Sequence, residues 1–315
     1  MTCFDLSTLP FREIDNVDVP STVLALGNFD GVHLGHRALL LECVRKAEEL
    51  GAIPGVWLFR EPPTDFLRNP PTPHLSTFMD KLTIFRENGI KRAFVADFKA
   101  VGSLSPEQFA RELLIENCRC RHAICGFNYS FGYKGAGDPA LLRSLFNGAV
   151  SEIPPVKIGG LPVSSTRIRA LLSDGNVAEA SALLGREYSF RAPVLHGKAL
   201  GRTLTFPTIN QDFPPLAVIP KSGIYAVTVQ LPDDPAVYYG VANVGNRPTV
   251  EVSSHTNCET YILDFDGDLY GKTVEIGFAK RLRDERKMSG IEELRTAIGA
   301  DAEAARAFFK RRNKI

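Results

Sequence analysis

An alternation of strand-like and helix-like segments, which gives way to strands alone near residue 186, constrains this fold more than any other feature. Up to residue 147, apolar β-prone runs take turns with segments whose leucines and alanines repeat at helical spacing. The strand-like runs are residues 22–27, 53–59, 93–97 and 122–125, and the helical segments are residues 36–50, 78–88, a stretch opening at Ser105, and 139–147. Such alternation predicts a doubly wound parallel sheet.

The second half of the chain has a different rhythm, which begins after a helical segment at 177–184 that ends in Gly185. Short strands follow one another between glycine, proline and aspartate turns, at residues 188–195, 224–230, 237–244, 256–264 and 273–280. Helical patterning returns only at residues 291–299 and 301–310. This pattern predicts an antiparallel β-barrel closed by C-terminal helices.

The length of 315 residues is more than one ordinary core organises, so we expect two domains, 1–186 and 187–315. Thirty-seven basic residues against 36 acidic ones give no basic excess, which argues against a nucleic-acid partner. The sequence contains no apolar run long enough for a membrane span, and the N-terminus lacks a secretory pattern. We therefore expect a cytoplasmic protein that binds small molecules, with its oligomeric state left open.

Six dispersed cysteines favour a reducing compartment over a disulfide scaffold. Cys118, Cys120, His122 and Cys125 form a cluster of metal-type side chains. Their spacing fits no familiar zinc pattern, and alternate residues of a strand point to opposite faces. We expect these residues to be structural.

A glycine- and histidine-rich segment follows the first predicted buried strand and opens the first long helix. It reads Gly27-Asn28-Phe29-Asp30-Gly31-Val32-His33-Leu34-Gly35-His36. The two histidines lie three residues apart, so they share one side of the helix start. Gly35 lets a nucleotide approach the backbone, and the helix N-terminus offers free N–H groups to phosphates. The segment predicts a phosphate pocket at the carboxyl end of a parallel strand.

A second element, Ser164-Ser165-Thr166-Arg167-Ile168-Arg169, caps a later helix and places Arg167 in its first turn. Arginine can hold two phosphate oxygens at once. Attack by a phosphate anion on the α-phosphorus of ATP requires no general base. It requires alignment and neutralisation of the developing charge, which two histidines, a helix end, an arginine and Mg²⁺ can supply.

These two elements resemble the nucleotide motifs of the FMN adenylyltransferase module in prokaryotic bifunctional FAD synthetases, within the HxGH nucleotidyltransferase superfamily. The resemblance implies catalytic roles for His33, His36 and Arg167. It implies an ATP site formed by Gly27, Asn28, Phe29, Asp30, Gly31, His33, Gly35, His36, Ser164, Ser165, Thr166 and Arg167. Residues 126–132 (GFNYSFG) and 59–63 (FREPP) resemble the family's flavin-side segments, which implies flavin contacts from Phe59, Phe127 and Asn128.

Residues 201–210 (GRTLTFPTIN) resemble the family's riboflavin kinase motif, and residues 258–265, 264–271 and 281–288 extend the match. The Thr208 hydroxyl and the Asn210 carbonyl oxygen are hard donors suited to Mg²⁺ and the phosphates of ATP, as the Gly201 backbone is to phosphate. The resemblance implies that Glu259 is the general base for the riboflavin 5′-hydroxyl. The expected overall reaction converts riboflavin to FMN and FMN to FAD, with ATP consumed in both steps.

Two departures from the motif motivate an alternative. Thr205 stands where the family prefers glycine, and residues 191–193 replace a glycine-containing approach, so a side chain can narrow the phosphate site. One alternative is a monofunctional adenylyltransferase whose barrel binds flavin with little or no kinase activity. A third hypothesis is a flavin-binding regulator or carrier without turnover.

Overall fold

The computed structural model describes residues 1–6, 20–196, 206–232, 234–247 and 255–312. The chain divides into two compact units, Met1–Ser165 and Thr166–Ile315. The functional boundary at residue 186 stays a prediction. Among the described residues, none of the helices combines the length and the apolar character that a membrane crossing needs.

The first unit is built on a six-stranded sheet with the order β1-β4-β3-β2-β5-β6. Its strands are β1 Thr2–Asp5, β2 Thr22–Leu26, β3 Ile53–Phe59, β4 Arg92–Ala96, β5 Cys120–Gly126 and β6 Val150–Ile153. All neighbouring pairs are parallel. A short antiparallel hairpin, β7 Lys157–Ile158 and β8 Leu161–Pro162, follows the sheet.

Helices cover both faces of this sheet. They are α1 Leu34–Glu49, α2 Pro63–Leu67, α3 Phe78–Glu87, α4 Phe98–Val101, α5 Pro106–Gln108 with a π-helical continuation Phe109–Asn117, and α6 Pro139–Leu145. One face packs Leu40 and Cys43 of α1 against Val23 and Val56, and the other packs Leu113 against Trp57 and Phe94. The predicted doubly wound sheet is confirmed.

The second unit contains a six-stranded antiparallel sheet with the order β10-β13-β12-β11-β14-β9. Its strands are β9 Tyr188–Pro193, β10 Thr208–Asp212, β11 Gly223–Gln230, β12 Val237–Arg247, β13 His255–Ile262 and β14 Thr273–Arg283. The two edge strands, β9 and β10, are joined to each other. Leu195, just after β9, forms an antiparallel bridge with Asn210 of β10. The side-chain amide of Gln211, also on β10, donates to the carbonyls of Ala192 and Val274 at 2.6 and 2.9 Å. The predicted antiparallel barrel is confirmed.

The described part of this unit includes the helices α7 Ser165–Ser173, whose first residue lies in the first unit, α8 Val177–Leu184 and α9 Ile291–Arg312. The two expected C-terminal helical segments form the single helix α9, which packs Ala302, Ala305 and Phe309 against the barrel. The helix continues through residues 299–301 because Asp301 is buried there and receives two hydrogen bonds from Arg283, at 2.8 and 2.6 Å.

Candidate active sites

The nucleotide motif lies at the carboxyl end of β2, between the end of that strand and the start of α1. The chain order of the sheet reverses here, since β3 lies on one side of β2 and β5 on the other. Open parallel sheets bind their ligands at this kind of switch point. The fold therefore puts residues 27–36 where a phosphate pocket was expected.

The loop before α1 has an unusual backbone, with positive φ at Phe29 (51°), Gly31 (77°) and Val32 (39°). Such a conformation persists only when surrounding contacts enforce it. Phe29 is fully buried and contacts Phe85 edge-to-face at 5.2 Å. Phe29 therefore anchors the loop, and its predicted contact with ATP stays a prediction.

Residues just before α3 hydrogen-bond to the loop that precedes α1. The Asp30 carboxylate accepts a hydrogen bond from the Leu75 backbone N–H at 2.9 Å, and the Gly31 N–H donates to the Ser76 hydroxyl at 3.0 Å. The Asp30 side chain is buried, so it supports the loop conformation. Its predicted contact with ATP also stays a prediction.

His33 and His36 form a stacked pair whose ring centroids lie 3.7 Å apart with an interplanar angle of 11°. The His36 backbone N–H donates to His33 Nδ1 at 3.3 Å. Because His33 Nδ1 accepts this bond, the proton of the neutral His33 ring lies on Nε2, which makes Nε2–H a hydrogen-bond donor.

Gly35 leaves room for the His33 ring, in addition to the role that its sequence position predicts. A Cβ atom at this position would lie 3.1 Å from two atoms of the His33 ring. The glycine therefore allows the His33 ring to fold back over the helix start and stack on His36. We had expected it to let a nucleotide approach the backbone, which stays a prediction.

The electrostatic environment holds the pKa of His36 well below its usual value. Burial is the main cause, followed by the neighbouring His33 and by the positive charge of Lys81. All three effects disfavour imidazolium, so His36 is neutral at physiological pH. A neutral imidazole keeps one ring N–H, with which it can donate a hydrogen bond to a phosphate oxygen.

We expect the His36 ring to stay neutral through pH 6.5, where an ordinary histidine is about half protonated. As pH falls below that value the unfolded chain takes up the proton before the folded one does, so this histidine makes folding less favourable at acid pH. A series of ¹H–¹³C NMR spectra of the imidazole rings, recorded across pH, measures the midpoint of His36 protonation. The signal that is missing in His36→Gln identifies this ring. A His36 midpoint at or above 6.5 would contradict this description.

The Ser-Ser-Thr-Arg element meets the nucleotide loop at Ser165, whose hydroxyl donates to the Asp30 carbonyl at 2.9 Å. Helix α7 begins at this residue, so Thr166 and Arg167 lie in its first turn. Two motifs far apart in the sequence therefore meet through Ser165 and Asp30. The phosphate contacts of Ser164, Thr166 and Arg167 stay predictions.

The predicted flavin residues follow the carboxyl ends of β3 and β5. Phe59 ends β3 and is half-buried against Trp57 and Phe98, at 4.8 and 5.7 Å between ring centroids. Phe127 follows β5 and is 47% exposed, and Asn128 is exposed beside it. Phe127 therefore has a free face for an aromatic ring, whereas Phe59 is largely packed, and the flavin role of all three residues stays a prediction.

In the second unit, Thr208 and Asn210 lie on strand β10, although their sequence is more typical of a turn. They are two residues apart, so their side chains share one face of the sheet. Asn210 is aligned with Glu259 of β13, and Glu259 is aligned in turn with Asn243 of β12. Directly opposed residues of antiparallel strands project to the same side, so three polar side chains form one row.

Two residues of this site were not identified from the sequence. Asn257 donates to Glu259 Oε1 at 3.3 Å and so orients the carboxylate, and Asn243 completes the row on the far side. An asparagine on a predicted buried strand could have indicated each of them as a candidate site residue. Only the strand register and the side-chain contact show that both lie next to Glu259. Gly201 and Thr205 lie outside the described residues, whereas residues 191–193 form the end of β9.

The chain thus contains two kinds of domain. One is a parallel-sheet domain with the HxGH motif of nucleotidyltransferases, and the other is an antiparallel barrel in which a carboxylate lies between two asparagines. A family model described as FAD synthetase matches residues 16–167, and one described as riboflavin kinase matches residues 184–309. Each half of the chain therefore has its own family match, in the expected order.

Relatives match over nearly the full length. The bifunctional riboflavin kinase/FMN adenylyltransferase of Bacillus subtilis is 33% identical over 93% of this chain and 94% of that protein. The enzymes of the same name from Pseudomonas fluorescens and Escherichia coli are 35% and 34% identical over 90% and 91% of this chain. The chain belongs to the bifunctional riboflavin kinase/FMN adenylyltransferase family. These relatives favour the bifunctional hypothesis over the monofunctional one.

A solved structure has the same fold along the whole chain. It is a Streptococcus pneumoniae protein described as a macrolide-efflux protein, with a TM-score of 0.87 and 30% identity over 97% of this chain and 99% of that one. That description applies to the other protein, and only the architecture is carried over to this chain.

Proposed function

We propose that this chain phosphorylates riboflavin to FMN in its barrel and transfers the adenylyl group of ATP to FMN in its parallel-sheet unit, giving FAD and pyrophosphate. The observation that carries the proposal is the coexistence of two built sites in one chain. One is the stacked His33–His36 pair on its braced loop, and the other is the Asn210–Glu259–Asn243 row.

For adenylyl transfer, the FMN phosphate attacks the α-phosphorus of ATP, a new P–O bond forms, and the bond to pyrophosphate breaks. We assign to His33 Nε2–H and to neutral His36 the donation of hydrogen bonds to the polyphosphate, and to Arg167 the neutralisation of charge on it. A preorganised set of donors stabilises developing charge without reorganisation during the reaction. The free N–H groups at the start of α1 add to the same field.

For phosphorylation, Glu259 accepts the proton of the riboflavin 5′-hydroxyl while that oxygen bonds to the γ-phosphorus and ADP leaves. The contact from Asn257 to Oε1 supports this role, because it orients the carboxyl group. A carboxylate positioned in this way acts as the base without a change of rotamer.

Mg²⁺ fits the donors on β10. The Thr208 hydroxyl and the Asn210 carbonyl oxygen are neutral hard oxygens on one face of a strand, and Glu259 lies at the same level. We propose that these two residues hold the metal together with ATP. When bound, the metal neutralises charge on the β- and γ-phosphates.

We further propose that the enzyme works in the cytoplasm with small-molecule partners only: riboflavin, FMN, FAD and ATP. The six cysteines are free thiols, which is compatible with a reducing compartment.

The test is a product assay with ATP and Mg²⁺ and either riboflavin or FMN, resolved by chromatography. We expect FMN followed by FAD from riboflavin, and FAD with pyrophosphate from FMN. FAD from FMN without any FMN from riboflavin would leave only adenylyl transfer. Flavin retention without turnover would leave only a carrier.

A further inference from the structure

Lys81, in the first turns of α3, is a buried cation beneath the nucleotide loop. Its side chain is only 3% exposed, and its Nζ donates to the carbonyl oxygen of Asn28 at 3.0 Å. Asn28 lies between the end of β2 and the left-handed residue Phe29. The ammonium group therefore contacts the backbone at the point where the loop turns toward His33.

The surrounding protein offsets only part of the desolvation cost of burying the Lys81 charge. Desolvation lowers the pKa of Lys81, and the negative charges of Asp30 and Asp65 only partly oppose that effect. Within the part of the chain that the structure describes, Lys81 forms no ion pair with a carboxylate. Among the described residues its hydrogen-bond partner is a carbonyl oxygen, and a buried cation without a directly paired carboxylate is unfavourable.

Local folding does not require this charge. Helix α3 is already fixed by a capping box between Thr77 and Asp80, and by the buried side chains of Ile84 and Phe85. The loop above it is held by Ser76 and by the Leu75 backbone. An apolar side chain of the same length would fill the same space without the desolvation penalty.

The charge lies where an anion is expected. The positive charge of Lys81 is one of the causes that lower the pKa of His36, and its Nζ contacts the Asn28 carbonyl in the loop that leads to His33. An ATP polyphosphate bound against those histidines would add negative charge to that of Asp30 and Asp65 and so offset more of the cost of burying Lys81. Low dielectric in the buried region strengthens such an interaction.

We propose that Lys81 is a positioning residue for adenylyl transfer, which holds the Asn28 carbonyl and places a buried positive charge beneath the loop that receives the polyphosphate of ATP. This inference rests on the proposed function of the first unit. It assigns to Lys81 a role in ATP recognition through the loop and leaves flavin recognition to other residues.

The test compares Lys81→Met, which keeps the length and removes the charge, with Lys81→Arg, which keeps the charge. The exposed Lys91→Met is the matched control. For Lys81→Met we expect the KM for ATP in FAD formation to rise about 10- to 100-fold, with the KM for FMN within twofold. Riboflavin phosphorylation by the same molecules should be unchanged. Lys81→Arg should recover part of the loss.

The melting midpoint of the ligand-free protein separates this role from a structural one. Because Lys81→Met removes an incompletely compensated buried charge, the midpoint should be equal to or higher than that of the wild type. A lower midpoint with equal losses for both substrates and no recovery in Lys81→Arg would overturn the inference. So would unchanged kinetics in Lys81→Met. If the wild type itself made no FAD from FMN, the proposed function would fail instead.

Discussion

Replacing His36 by alanine is expected to lower FAD formation from FMN and ATP by about two to three orders of magnitude, the loss typical when one preorganised donor is removed. The His36 ring stacks on His33 and its backbone N–H fixes the His33 tautomer. The substitution leaves that backbone bond in place but removes the second imidazole and the ring that supports the first. Chromatographic measurement of initial rates for both reactions checks the result.

Riboflavin phosphorylation by His36→Ala should match the wild type, because His36 and the Asn210–Glu259–Asn243 row belong to different compact units. His122→Gln is the matched control, since His122 lies in β5 of the same unit and hydrogen-bonds to Ser151. That control should retain FAD formation. Loss of both activities in a folded His36→Ala protein would show that the two sites are not independent.

The second large effect is expected for Glu259→Gln, which should reduce riboflavin phosphorylation by about 10²- to 10⁴-fold, as expected for the loss of a positioned general base. Glutamine keeps the size of the side chain and its alignment with Asn210 and Asn243. It cannot accept the 5′-hydroxyl proton at neutral pH. Formation of FAD from supplied FMN should continue at the wild-type rate.

Glu275→Gln controls for the loss of a carboxylate from the same barrel. Glu275 lies on β14 and pairs with Arg191 of β9 at 2.6 Å, whereas Glu259 lies on β13. We expect this variant to phosphorylate riboflavin normally. A Glu259→Gln protein with wild-type kinase kinetics would remove Glu259 from the mechanism.

The main elements of the fold follow from the sequence because burial imposes a readable pattern. Strand β2 is buried along its whole length and reads as an uninterrupted apolar run. Strand β1 was not predicted, since it is a four-residue edge strand with mostly exposed side chains. Strand β10 was not predicted either, because its sequence, TINQD, is polar. The barrel tolerates Gln211 there only because two backbone carbonyls accept its amide hydrogens.

The residue types of the candidate sites follow from sequence motifs, whereas their arrangement depends on tertiary contacts. The spacing of His33 and His36 indicates a shared side of the helix, but the stacking of the rings depends on the space that Gly35 leaves open. The residues around Lys81 give no sign that it belongs to the site, because its contact is with Asn28, which lies 53 residues away in the sequence. Asn243 and Asn257 become neighbours of Glu259 only through strand register and a side-chain contact.

The most direct test of two distinct transfers in one chain uses ATP that carries a phosphorus radiolabel at either the α- or the γ-phosphate, and follows that label into the products. With FMN as substrate, we expect label from the α-phosphate to enter FAD and label from the γ-phosphate to appear only in pyrophosphate. With riboflavin as substrate, γ-label should appear in FMN and then in FAD. Label from the γ-phosphate in FAD made from unlabelled FMN, or unlabelled FMN made from riboflavin and γ-labelled ATP, would contradict the account.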